Sequence, residues 1–175
     1  MLYVKNHLAS QTFFIGDNIS RMDKKDIEIF IVKIHNIGVI GVYKAPGKNL
    51  CDVLKEFNKL NFEKLIDDYD LKKVFIFGDF NHNLKDIKFK HSALEFIEKL
   101  KMKNVLNEQL NTTDQNTHID WCLSNADTGF QCGIYESYFS YHKPIWVVLY
   151  EIYDYDINDN LNQSIQSMTL SDIIS

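Results

Sequence analysis

Apolar and polar positions alternate along the chain in a way that lays out strands first. The segment IEIFIVKI at residues 27–34 puts isoleucine at 27, 29 and 31, with Phe30 and Val32 between, the pattern of a strand buried on both sides. His35-Asn36 is a short polar break, and residues 37–43 return as a second strand. Asparagine tolerates the left-handed conformation that such hairpin turns require. Leu50, Val53, Leu54, Phe57 and Leu60 then fall on one helical face, with Asn49 as the cap. A further strand at residues 73–77 ends at Gly78. Ser92-x-x-Glu95 reads as a capping box for a helix whose stripe is Ala93, Phe96, Ile97 and Leu100. Short strands around 119–123, 134–138 and 145–149 complete the pattern. Strands and helices alternate irregularly, with a hairpin early and strands late. This predicts α/β or α+β layers rather than a regular series of parallel crossovers.

The bulk properties narrow the class. The chain has 175 residues, 45% hydrophobic and 25% charged, enough to build one domain with a sizeable core. That domain is expected over residues 1–153, followed by an Asp-, Asn- and Ser-rich tail at 154–175. No apolar stretch approaches the roughly 20 residues of a membrane span, so no membrane partner is expected. The start lacks an apolar run before a small-residue cleavage site. Cys51, Cys122 and Cys132 are odd in number, widely spaced and without a Cys-x-x-Cys pair, which predicts reduced thiols and an intracellular setting, the nucleus being one option. The formal net charge is −5, whereas proteins that grip DNA tightly usually carry a basic excess. Any basic surface must therefore be local. Lys85, Lys88, Lys90, Lys99, Lys101 and Lys103 are the densest group, best read as the solvated side of a helix.

Three segments carry candidate chemistry. Gly78-Asp79-Phe80-Asn81 delivers a carboxylate and a carboxamide two residues apart at the end of a buried strand. Thr117-His118-Ile119-Asp120-Trp121 places a carboxylate at the start of a later strand, and Ser140-Tyr141-His142-Lys143-Pro144 supplies an imidazole. A carboxylate bonded to one ring nitrogen fixes the tautomer and leaves the other nitrogen to face phosphate or water. Phosphodiester cleavage needs an activated water, charge stabilisation on the phosphate and usually a hard divalent cation held by carboxylates.

In this order, the three segments resemble the endonuclease/exonuclease/phosphatase family of metal-dependent phosphoesterases. The resemblance implies a four-layer sandwich, two β-sheets face to face with helices outside. It implies that Asp79 orients the attacking water and contributes to the metal site, that Asn81 binds the scissile phosphate, and that His142 works with Asp120. Tyr43, in Val42-Tyr43-Lys44-Ala45-Pro46, matches a strand-ending tyrosine of the family, and Thr112, Thr113 and Thr117 match its threonine-rich lead. The implied cofactor is Mg²⁺ or Mn²⁺ and the implied partner is DNA. The Tyr-Lys-Ala-Pro and Ser-Tyr-His-Lys-Pro-Ile segments look most like endonuclease domains of mobile elements. The shared core motifs leave phosphatases of lipids and inositol phosphates open.

Two departures bear on activity. Tyr141 occupies the middle of Ser-x-His, where the family has a metal-binding aspartate, and a phenol of pKa about 10 is a poor ligand for Mg²⁺. The match also begins late: Met1 to Leu8 looks like an internal strand, so the first strands of the family, with their asparagine and principal metal-binding glutamate, are expected to be lacking. Asp17 and Glu28 stand in no matching motif. The expectation is a nuclease-type phosphodiesterase with a weak metal site and slow or no cleavage in Mg²⁺. The alternatives are a catalytically dead remnant and a non-catalytic binding module of the same fold.

Overall fold

A computed structural model describes residues 12–14 and 26–150. The strand expected at the N-terminus, the tail at 154–175 and the boundary between tail and domain lie outside the described residues. A six-stranded mixed sheet is built from β1 (Thr12–Phe14), β2 (Ile27–Ile34), β3 (Ile37–Lys44), β4 (Lys73–Asp79), β5 (Lys103–Asn104) and β6 (Asp120–Ser124), in the order β1-β2-β3-β4-β6-β5. A two-stranded antiparallel sheet holds β7 (Phe130–Ile134) and β8 (Ile145–Leu149). The helices are α1 (Leu50–Lys59), α2 (Phe62–Asp68) and α3 (Ile87–Lys99).

The β2–β3 hairpin forms with Ile34 opposite Ile37, so its loop is the expected pair of residues. His35 rather than Asn36 takes the positive φ, at 55°. β3 pairs parallel with β4 across the intervening helices, whereas β4 and β6 run antiparallel. α1 is capped as expected: the Asn49 side chain accepts from the Asp52 N–H and the Asp52 carboxylate accepts from the Asn49 N–H.

The two-residue period of the strands sorts their side chains between two cores. Val74, Ile76, Trp121 and Leu123 face the helices and pack with Val53, Phe57, Ala93 and Phe96. Phe75, Cys122, Val39 and Phe77 face the other way and pack against Phe130, Cys132, Val147 and Leu149 of the second sheet. The described residues thus form helix, sheet and sheet layers. At the centre of the helix-side core the rings of Phe80 and Trp121 stack with centroids 4.4 Å apart, both fully buried.

Three expectations need correction. β2 is not buried on both sides along its length: Ile27, Ile29 and Ile31 are buried, whereas Glu28 and Phe30 are exposed. The helix expected to start at the Ser92 capping box starts at Ile87, with Asp86 as the cap accepting from the Lys88 N–H. Its first turn exposes Ile87 and Phe89, so the apolar stripe begins later than the helix does. Ser92 lies inside, its hydroxyl donating to the Phe89 carbonyl. The strand expected at 134–138 is β7 at Phe130–Ile134, because its register pairs Phe130 with Leu149 and ends where Ile134 meets Ile145. α2 leaves little trace in the sequence, because Phe62, Leu65 and Ile66 supply only a single turn of helical spacing.

Gly78 is required by packing rather than by backbone freedom. A Cβ there would lie 1.8 Å from the Val42 carbonyl oxygen of the neighbouring strand. Gly78→Ala is expected to push β3 and β4 apart and to destabilise the chain by roughly 1–3 kcal/mol or more, measurable by urea unfolding.

Candidate active site

The same alternation that sorts the cores places the chemistry. Tyr43, Asp79 and Asp120 stand side by side on three adjacent strands, Tyr43 in register with Asp79 and Asp79 with Asp120. In β4 and β6 the two aspartates share the parity of Phe75, Phe77 and Cys122, so they belong to the face toward the second sheet. The loop entering β8 brings His142 over this row. Its Nδ1 lies 2.9 Å from both carboxylate oxygens of Asp120. Nδ1–H donates to Asp120 in this arrangement, leaving Nε2 to face Asp79 Oδ2 at 3.8 Å. That gap is too long for a direct hydrogen bond, yet one oxygen atom can reach both groups. The residues predicted from three separate segments therefore meet.

Asp79 and Asn81 brace one another. Asp79 Oδ1 accepts from the Asn81 N–H at 2.8 Å, and Asn81 Nδ2 donates to Asp79 Oδ2 at 3.1 Å and to the Lys44 carbonyl at 2.9 Å. Asn81 holds a left-handed conformation, φ 44°, which asparagine adopts more readily than most residues. Phe80, locked under Trp121, fixes the pair from below. Tyr43 is exposed beside Asp79.

Lys44 and Thr112, named above only as members of their segments, both brace the site. Lys44 is 1% exposed, and its ammonium donates to the carbonyls of Lys48 (2.9 Å), Ala45 (3.3 Å) and Asn81 (3.5 Å). It ties the end of β3 to the Asn81 turn. Burial lowers its pKa, opposed by the nearby negative charges of Asp79 and Asp52. The signal was present: Lys44 is in phase with the inward Ile40 and Val42. Thr112, fully buried, accepts from the N–H groups of Ile119 and Asp120, both at 3.1 Å. Its carbonyl accepts from the Lys143 N–H at 2.8 Å, and Thr113 bridges His142 in antiparallel pairing. The threonine lead thus holds both members of the Asp120–His142 pair.

Asp79 titrates above the ordinary carboxylate range. Burial is the main cause, the Asn81 N–H opposes it, and the charge on Asp120 adds to it. The folded chain therefore holds this proton more tightly than the unfolded one. Its contribution is complete below the unfolded carboxylate pKa and is lost as pH rises through the raised folded value. In EDTA, urea midpoints of Asp79→Asn relative to wild type should improve with rising pH across that window. A constant difference would contradict the raised value.

Asp79, Asp120 and His142 offer ligand atoms that all lie within 4.8 Å of one another, a group that could hold a metal ion. Two carboxylates suit hard ions such as Mg²⁺ or Mn²⁺. The single Nδ1–H of His142 is shared between the two Asp120 oxygens, which keep lone pairs for a metal ion beside those of Asp79. Of the lysine group read as the solvated side of a helix, Lys90, Lys101 and Lys103 pair with Glu108, Glu63 and Asp127. Cys51, Cys122 and Cys132 are free thiols, and burial raises the pKa of Cys122. No helix among the described residues is long and apolar enough to cross a membrane.

Solved structures share this architecture. CdtB, the biologically active subunit of cytolethal distending toxin, superposes with a TM-score of 0.52 at 14% identity, over 78% of this chain and 55% of that one. The endonuclease domain of TRAS1, a telomere-specific non-LTR retrotransposon, gives 0.53 at 15% identity, over 72% and 63%. An endonuclease/exonuclease/phosphatase family protein from Leptotrichia buccalis C-1013-b gives 0.41 at 10% identity, over 79% and 60%, too distant to argue from. This chain spans less than two thirds of each. No protein-family model and no curated protein matches the sequence. The fold is an α+β sandwich of the endonuclease/exonuclease/phosphatase type.

Proposed function

We propose that the chain is a nuclease-type phosphodiesterase, dependent on a divalent metal ion, with DNA as its substrate. The observation that carries this reading is the two-pronged contact of Asp120 with His142 Nδ1, which aims Nε2 at Asp79. Asp79 would anchor Mg²⁺ or Mn²⁺, and such an ion supplies charge stabilisation on the phosphate and acidifies bound water. The chain's own residues do the rest. Asp120 holds the imidazole in one tautomer and stabilises it when protonated. His142 Nε2 and Asp79 Oδ2, both acceptors, together orient one water, which donates a proton to each, at the reacting centre. Asn81 Nδ2 is placed to exchange one of its two acceptors for a phosphate oxygen, and Tyr43 borders the same row. The endonuclease named among the structural neighbours supports DNA as substrate and a mobile-element setting.

A second reading, a binding module or remnant without catalysis, is favoured by one observation. Tyr141, 54% exposed, presents a phenol where the resembled motif has a carboxylate. Incubation of supercoiled plasmid with the full chain separates the two. Slow nicking that rises with Mn²⁺, and is stopped by EDTA and by Asp79→Ala, supports the enzyme. Plasmid retained without nicking at any metal concentration supports the binding module.

A further inference from the structure

The loop between β7 and β8 carries aromatic side chains that no core claims. Tyr138 is 93% exposed and Phe139 fully exposed, with Tyr141 beyond them. This patch is continuous with the candidate site. The Tyr141 ring lies against that of His142, centroids 4.1 Å apart. The Ser137 hydroxyl accepts from the N–H groups of Phe139 and Ser140, and the Ser140 hydroxyl accepts from that of His142. Phe139 is three residues from His142, so its Cα lies within about 11 Å of the catalytic candidate.

The charge distribution says what these rings meet. A polyanion is usually gripped by unpaired lysines and arginines. Here the net charge is −5, Lys44 is buried, and Lys90, Lys101, Lys103 and Lys143 face carboxylates. Beside the site itself, Lys44 is turned onto backbone carbonyls and Lys143 onto Glu136, so neither offers its charge freely to phosphate. Nucleic-acid bases, however, offer uncharged faces to aromatic rings, and stacking is indifferent to sequence.

We propose that Tyr138, Phe139 and Tyr141 form a stacking platform for unpaired nucleobases, so that the chain takes single-stranded or locally opened nucleic acid. This rests on the nuclease reading for what crosses the site, but its test does not need cleavage. In EDTA, fluorescence anisotropy would compare labelled oligothymidylate with a same-length strand of abasic residues. Wild type is expected to bind the base-bearing strand at least about tenfold more tightly, with a shallow dependence on salt. Tyr138→Ala with Phe139→Ala, both at exposed positions, should remove that preference while leaving the unfolding midpoint unchanged. Equal binding to the two strands, a preference that survives the double substitution, or binding only to lipid vesicles would overturn the platform. Base-dependent binding without plasmid nicking at any metal concentration would keep it and overturn the enzyme instead.

Discussion

Phosphodiester cleavage by the His142→Ala chain should fall at least about 100-fold below wild type, with the fold retained. The imidazole sits at the edge of a loop, about one-quarter exposed, so its loss opens no large cavity. Its chemistry is harder to replace. Nδ1 is held by Asp120 and Nε2 faces Asp79, and no other imidazole among the described residues shares that position. His118 is the near alternative in sequence, yet it is fully buried, bonded through Nδ1 to the Leu110 carbonyl, and its pKa is lowered by burial. Asp120→Asn should reproduce much of the loss, because an amide can donate to Nδ1 and select the wrong tautomer. A rate within threefold or so of wild type for either variant would remove the pair from the chemistry.

Phe80→Ala should cost about 3–5 kcal/mol of stability by urea unfolding. Phe80 is fully buried, stacked on Trp121 and set edge-on to Phe96. Trp121 in turn donates from its indole N–H to the His82 carbonyl, 3.1 Å away. Phe80 also separates Asp79 from Asn81, so the cavity would loosen the brace between them. A loss below about 1 kcal/mol would mean that the surrounding core collapses around the gap far more readily than its packing suggests.

Much of this arrangement was legible in the sequence, and the reasons differ by element. Strands β2, β3 and β4 are long enough for their apolar runs to speak for themselves, and the Asn49 cap announces α1. The Asp120–His142 contact was readable because the motifs keep their order, although nothing local links residues 22 positions apart. Other features depend on partners. β7 ends where β8 stops pairing with it, and its weak alternation could not fix that limit. The true cap of α3 was hidden because Ile87 and Phe89 belong to the helix but not to its buried face. Thr112 reads as an ordinary loop hydroxyl until its bonds to the Ile119 and Asp120 N–H groups are seen. The row of Tyr43, Asp79 and Asp120 is a matter of register, and register is set across the sheet rather than along the chain.

The most direct measurement of the central claim uses a phosphodiester without bases, so that nucleic-acid binding plays no part. Hydrolysis of bis(p-nitrophenyl) phosphate would be followed while Mn²⁺ and Mg²⁺ are titrated against wild type, Asp79→Ala and His142→Ala. Wild type is expected to hydrolyse this diester slowly, in a metal-dependent way and faster in Mn²⁺, and both variants are expected to lose that activity. Hydrolysis no faster than buffer at saturating metal, or equal rates in wild type and His142→Ala, would contradict the proposed function.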